Sequence, residues 1–336
     1  LYLKVLVRGA LTDDDATTMR ITVILCTYNR CQSLATTLRS VAASRLPDSV
    51  EWEVLVVDNN SHDRTREVVA DFSRRYVGRF RYLFEPRPGK SHALNAGIRE
   101  ARGDILAFMD DDVMVEPAWL GNLTAGLIEE GWTGAGGPIL PEPGFSPPRW
   151  LSISGKYALA PFALFDPRPD PGELPEPPWG TNMAFRKSVF DKYGRFRTDL
   201  GPSPGSEIRN EDTEFGRRLL AAGERLLYVP SAVVYHPVPE ARLRKQYHLA
   251  WWFAKGRADV REFGAPAETA RLLGIPLHLF GRAIILTLRW SVALGSSRRF
   301  AFKLNLWTTL GAMTECFREI RDAGITSESS AFLRKY

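Results

Sequence analysis

The sequence predicts an α/β fold, a mostly parallel sheet with helices on both faces, followed by a C-terminal helical extension. Three observations carry this. Short β-branched runs alternate with amphipathic helical stretches from Arg20 to about Gly137. A polar cluster follows each of the first four runs. Beyond Ala241 the alternation stops, and basic, aromatic and helical segments take over.

In order, Ile21–Cys26 is an apolar run that reads as a buried strand. Ser33–Ala43 has helical spacing, with Leu34, Leu38 and Val41 on one face. Trp52–Val57 and Phe80–Phe84 read as strands on either side of a helix over Asp63–Arg75, with Val68, Val69 and Phe72 inward. Ser91 is expected to cap a helix from His92 to Arg102, ended by Gly103. Asp104–Met109 is the fourth strand, and Pro117 opens another helix. Pro138 to Pro178 is proline-rich and reads as an irregular excursion over the site, a candidate lid. Order resumes with a strand at Thr181–Arg186 and a helix at Glu211–Ala222, ended by Gly223. Short strands are expected at Leu226–Val229 and Ala232–Tyr235.

The chain has 336 residues, 44% hydrophobic and 25% charged, enough for one large domain with an appendage. Residues 20–240 are expected to form that domain, with 1–19 an upstream extension or expression remnant and 241–336 the appendage. A net charge of +5 suits an anionic ligand or an anionic membrane surface and does not by itself indicate nucleic acid. Cys26, Cys31 and Cys316 are odd in number and include no Cys-x-x-Cys pair, so a reducing compartment is the simplest inference. The opening apolar stretch is soon broken by Arg8 and Asp13–Asp15, unlike a secretory signal.

The chemistry concentrates at strand ends. Asp110, Asp111 and Asp112 repel one another directly after the apolar run 105–108. A divalent cation, Mg²⁺ or Mn²⁺, carrying a diphosphate accounts for them. Thr27, Tyr28 and Arg30 follow the first strand, where Tyr28 can stack and Arg30 can meet a phosphate. Asp58 ends the second strand, where a carboxylate can accept a base N–H or cap the next segment, a task open also to Asn60 or Ser61. Lys90 follows Pro88-Gly89 at a helix start, a good anion position, with Asn95 one turn on. Carboxyl ends of parallel strands share one sheet edge, so these clusters converge. Glu211 and Asp212 form a second acidic cluster about 100 residues later.

Five segments, Ile24–Arg30, Val56–Ser61, Gly89–Gly97, Phe108–Asp112 and Asn210–Asp212, occur in the order seen in family 2 glycosyltransferases of the GT-A fold, and the chain resembles that family from about Arg20 to Pro237. The resemblance implies a nucleotide-sugar donor, a divalent cation and inversion at the anomeric carbon. It implies Asp112 as direct metal ligand, Asp110 on the ribose or the metal, and Asp212 as general base paired with Glu211. Trp179-Gly180-Thr181-Asn182 resembles the glycine loop beside the donor sugar, and His236 stands where many such enzymes place a metal-binding histidine. A UDP-sugar and an acceptor hydroxyl on a lipid-linked or cell-envelope glycan are expected, on the cytoplasmic face of a membrane. The rivals are a sugar-1-phosphate nucleotidyltransferase and a non-catalytic nucleotide- or glycan-binding protein. The first should carry a glycine-rich loop after the first strand, which Thr27-Tyr28-Asn29-Arg30 is not.

After Ala241, Arg242, Arg244, Lys245, His248, Lys255, Arg257 and Arg261 interleave with Tyr247, Trp251, Trp252 and Phe253. From Thr269 to Thr314 there is no acidic residue. His278, Arg282 and Arg289 share a helical face within Pro276–Leu294, which argues against a spanning helix and for an interfacial one. An anionic membrane is the expected partner of this region, with a helical cap on the catalytic domain or an oligomer interface as the other readings.

Overall fold

The computed structural model describes residues 19–128, 131–148, 150–151, 164–264 and 270–333; the expected extension at 1–18 lies outside them. The chain opens β1 (Met19–Thr27), α1 (Cys31–Ala42), β2 (Val50–Asp58), α2 (Thr65–Arg75), β3 (Phe80–Phe84), α3 (Lys90–Glu100) and β4 (Ile105–Met109). It continues β5 (Met114–Val115), α4 (Trp119–Ile128), β6 (Gly134–Gly136), β7 (Ile139–Pro141), β8 (Gly172–Glu173), β9 (Met183–Arg186), α5 (Ser188–Tyr193) and α6 (Glu211–Ala221). Then come β10 (Leu226–Tyr228), β11 (Val234–His236), α7 (Lys245–Phe263), β12 (Arg271–Leu272), β13 (Ile275–Pro276), α8 (Leu277–Val292) and α9 (Ser296–Leu333).

The main sheet has the order β3-β2-β1-β4-β9-β6-β10-β8. It is parallel from β3 to β4, as the alternation requires. β9 then enters antiparallel to both β4 and β6, and β8 closes the far edge antiparallel to β10. The side chains alternate faces along each strand. Val23 and Leu25 enter the layer of α1, α2 and α4, with Leu34, Leu38, Phe72 and Trp119. Ile24, Leu106 and Phe108 enter the opposite layer, with Leu94, Phe190 and Phe215 of α3, α5 and α6. The register aligns Thr27 with Asp58 and Asp58 with Phe84, so the polar turns after β1, β2, β3 and β4 line one edge.

Three sequence expectations are corrected. Ser91 lies inside α3, one residue into the helix, and its hydroxyl donates to the Leu200 carbonyl instead of capping. The proline-rich stretch is not wholly irregular. β7 joins β5 and β11 in a second sheet, Phe165 bridges Ile139, and β8 joins the main sheet, while 152–163 lie outside the described residues. The last short strand starts at Val234 and carries His236 as its final residue.

Most of the basic tract after Ala241 turns inward. Arg257 and Arg261 of α7 both bind Glu315 of α9, Lys255 pairs with Asp259, and His248 is fully buried, bonded to the Arg242 carbonyl. Arg257 and Arg261 tie α7 to α9, and among the described residues α8 keeps a broad apolar face in solvent.

Candidate active site

The turn after β4 divides its three carboxylates by direction. Asp111 is 4% exposed; its Oδ2 accepts from Thr27 Oγ1 at 2.6 Å and its Oδ1 from Arg30 at 3.0 Å. Burial pushes its carboxyl up to about 6, against the pull of Arg30. Asp111 therefore ties the turn after β4 to Thr27 at the end of β1 and to Arg30. Asp110 accepts from Lys90 Nζ at 2.7 Å and from Thr181 Oγ1 at 2.6 Å. Burial works against its charge, but Lys90 and Thr181 outweigh it and hold the carboxyl well below the usual range. Asp112 accepts from Arg30 at 3.1 Å and from Arg242 at 3.2 Å, and its other oxygen lies 3.5 Å from His236 Nε2.

The second acidic cluster opens α6. Asn210 precedes it with a φ of +80°, a left-handed conformation that asparagine tolerates. Its side-chain amide donates to Asp259 at 3.0 Å and Glu262 at 2.7 Å, both on α7. Arg217 of α6 also binds Glu262. Phe215, fully buried, stacks on Phe190 at 4.8 Å. The start of α6 is thus fixed from below by the core and from behind by α7. Glu211 is 3% exposed, and burial pushes its carboxyl up to about 7 despite Lys90 3.5 Å away. Asp212 accepts from the Gly180 amide at 2.6 Å and from the Thr213 amide at 2.7 Å. A Cβ on residue 180 would stand 3.0 Å from Asp212 Oδ2, so any larger residue would press the carboxylate out of its present position.

Two links join the clusters. Lys90 reaches Asp110 on one side and Glu211 on the other. The neighbours Gly180 and Thr181 bind Asp212 and Asp110 respectively. The loop that carries them is anchored by Asn182, which accepts from Trp119 Nε1 at 2.9 Å. Asp110, Glu211 and Asp212 therefore belong to one network of contacts through Lys90, Gly180 and Thr181, and Asp112 with Arg30 and His236 adjoins it along the same turn.

The other expected residues stand apart from that network. Asp58 is 2% exposed, at the end of β2, and accepts from the Ser61 amide and from Tyr82 OH, both at 2.8 Å. Tyr28 is 39% exposed nearby in sequence to Thr27, and Asn60 holds a φ of +67° in the turn after Asp58. Asn95 faces away: its amide donates to the Phe196 carbonyl and accepts from the Phe196 amide, at 2.8 and 3.0 Å. It locks α3 to the segment before α6, and a donor contact from it is not supported.

Sequence reasoning gave no role to three residues. Thr181 was visible only as part of the glycine loop. Tyr82, opposite Val56 in the β2–β3 register, reaches Asp58 with its hydroxyl, which no motif reveals. Arg242 looked like membrane-facing charge, yet it bridges Asp112 and His236, with its NH1 3.0 Å from His236 Nε2.

The donor set fits a hard divalent ion held mainly by a diphosphate. Among the described residues no group of three or more His, Cys, Asp or Glu side chains is gathered to ligate. An ion that arrives on a diphosphate needs only one or two protein carboxylates, and Asp112 and Asp110 supply oxygen donors of that kind. His236 beside Asp112 suits Mn²⁺ as well.

Comparison with known proteins decides the family. The model for glycosyl transferase family 2 matches residues 22–194, and that for glycosyl transferase family group 2 matches 172–314. Succinoglycan biosynthesis protein ExoM of Rhizobium meliloti is 30% identical over 282 residues, 84% of this chain and 82% of that protein. The chain belongs to glycosyltransferase family 2. A glucosyl-dolichyl phosphate glucuronosyltransferase of Haloferax volcanii is 26% identical over 67% of this chain and 71% of its own. Among solved structures, the mannosyltransferase PcManGT from Pyrobaculum calidifontis, in complex with GDP-Man and Mn²⁺, superposes with a TM-score of 0.60. It covers 90% of this chain and 89% of its own at 19% identity, which establishes a shared GT-A fold. As a family 2 enzyme the protein is a glycosyltransferase, and the nucleotidyltransferase and non-catalytic readings fall away.

Proposed function

We propose that the enzyme transfers a sugar, with inversion, from a UDP-sugar to a hydroxyl of a lipid-linked or cell-envelope glycan. The observation that carries the proposal is the double bridge, Lys90 and Gly180–Thr181, between the Asp110–Asp112 turn and the Glu211–Asp212 helix start. Group transfer needs cationic support for an anionic leaving group and a base near it, and the bridge between the two acidic clusters supports that reading.

Asp112, with Asp110 and His236, would hold Mn²⁺ or Mg²⁺. Such an ion, when bound, supplies positive charge to the departing nucleoside diphosphate. Lys90 and Arg30 add fixed positive charge at the same edge, and Asp58 with Tyr28 receives the base and ribose. Gly180 keeps its backbone open to the donor sugar. Asp212 takes the proton from the acceptor hydroxyl as that oxygen bonds to the anomeric carbon and the carbon–phosphate-oxygen bond breaks. The Gly180 amide on Oδ2 aims the carboxylate. Glu211 lies behind it, beside Lys90, where a change of its charge alters the field on both clusters. Support for the donor and acceptor classes comes from the relatives: one solved neighbour holds GDP-Man with Mn²⁺, and two relatives are named for succinoglycan biosynthesis and for a dolichyl-phosphate-linked sugar. α8, with its exposed aliphatic face and acid-free flanks, lies on an anionic membrane surface in this reading, on the cytoplasmic side.

The test is a panel of nucleotide sugars with Mn²⁺, scored by release of nucleoside diphosphate and by donor binding. Asp212→Asn should bind the productive donor as wild type does and lose turnover by about 10²–10⁴-fold, the usual worth of a general base. Full turnover in that variant, or no donor accepted by the wild type, refutes the proposal.

A further inference from the structure

α8 has three distinct stripes. Leu279 and Leu286, seven residues apart, are each 8% exposed, and Leu279 packs with Val260 of α7 and Cys316 of α9. At about 100° per residue the opposite stripe is Leu277, Ile284 and Leu288, which stand in solvent, Ile284 at 62% and Leu288 at 61% exposure. Between seam and outer face run His278, Arg282 and Arg289. They open on a recess of about 550 Å³, shared with Ile285, Phe302 and Asn305.

The recess is cationic and amphipathic at once. Among the described residues neither Arg282 nor Arg289 forms an ion pair. The sequence from Thr269 to Thr314 offers no carboxylate to neutralise them. Their separation along the helix is about 10 Å at the backbone, close enough for two long side chains to close on one phosphate group. Guanidinium groups bind phosphate oxygens in pairs, and the amide of Asn305 is another polar group in the recess. With the aliphatic stripe in the acyl layer, the arginine stripe lies beside the helix, at head-group depth. No described helix is long and apolar enough to cross a membrane.

We propose that the α8–α9 recess is a binding site for the phosphomonoester or diphosphate head group of a bilayer lipid, held by Arg282 and Arg289. This rests on the reading that the enzyme works on a membrane surface, and it goes further by naming a head-group class and its ligands. The site is separate from the network of Asp110, Glu211 and Asp212, since no residue that lines it belongs to that network.

The test is co-sedimentation of the full chain with phosphatidylcholine vesicles that carry phosphatidic acid, a phosphomonoester, or phosphatidylglycerol, a phosphodiester, at matched surface potential. Wild type should prefer phosphatidic acid by about tenfold or more, as two paired arginine contacts imply. Arg282→Gln/Arg289→Gln should bring the two vesicle types to equal affinity. Both positions are exposed, so the fold is not at stake. Arg298→Gln/Arg299→Gln removes the same charge from the same region and should weaken both affinities while it preserves the preference. Equal wild-type binding to the two vesicles, or a preference that survives Arg282→Gln/Arg289→Gln, overturns the head-group site and leaves the membrane reading intact. No wild-type binding to any vesicle overturns both. Self-association of wild type abolished by Ile284→Ser, in the absence of vesicle binding, would assign the face to a second copy of this chain.

Discussion

At the scale of single residues, the site is governed by how positive groups are shared among too many carboxylates. Asp112 illustrates it: Arg30, Arg242 and His236 all converge on it. If Asp112 and His236 hold an ion, Arg242 competes with it for both. Arg242→Ala should then tighten Mn²⁺ binding, measured by electron paramagnetic resonance, by about tenfold, since a charged hydrogen bond is worth about 1.5–3 kcal/mol. Unchanged affinity would remove Arg242 from that competition. Asp58 poses a different question. Tyr82 OH donates to it at 2.8 Å, and burial, then Asp58 itself, push that phenol well up, so it stays a donor at every working pH. Tyr82→Phe frees one carboxylate oxygen. Weaker nucleotide binding in calorimetry, with turnover at saturating donor unchanged, is the expected outcome if Asp58 must be aimed by Tyr82. A loss of kcat alone would contradict that role.

At the scale of elements, α6 matters most, because its first turn carries Glu211 and Asp212. Its position has two supports. Phe215 sits in an aromatic group with Phe185, Phe190 and Phe196, and Phe215→Ala should cost about 3–5 kcal/mol in urea unfolding. The second support is the amide of Asn210 on Asp259 and Glu262. Asn210→Ala loses both bonds and puts a β-carbon into a left-handed turn, whereas Asn210→Gly keeps the backbone and loses only the bonds. If α7 positions Asp212 through Asn210, both variants lower kcat with donor affinity little changed, and glycine loses less. Equal kcat for wild type and Asn210→Gly would show that the turn, and not α7, sets the geometry.

At the scale of the molecule, Glu224, just past the end of α6, ties the approach to β10 to the approach to β6 and to the end of α5. It accepts from Thr133 at the start of β6 and from Tyr193 and Lys192 at the end of α5. The Thr133 bond first, then Tyr193 and Lys192, hold its carboxyl down to about 2 from an ordinary 4.5. A folded value below the unfolded one gives stability that is complete above about pH 4.5 and lost as pH falls toward 2. Glu224→Gln should therefore be less stable than wild type at pH 7, and thermal melts should show the gap close between pH 4.5 and 2. A gap constant with pH would mean that the carboxylate charge contributes nothing. The C-terminal helices belong to the same whole: Arg257 and Arg261 of α7 bind Glu315 of α9, and Glu262 of α7 binds Arg217 of α6.

The sequence by itself determined the strands and helices up to β4 and the polar turns after them. Val23 and Leu25 against Ile24 already encode a sheet buried on both faces, and consecutive aspartates after a buried run encode a demand for positive charge. Local pattern is enough for these because period and turn chemistry are set within a few residues. The antiparallel entry of β9, the inward turn of Asp111, the use of Asn95 on Phe196 and the reach of Arg242 to Asp112 were decided only in three dimensions. Each joins groups 80 or more residues apart, or depends on which of several equivalent carboxylates a distant cation meets. A charge has no period: the same run of arginines reads alike whether it faces lipid or Glu315, and only packing chooses.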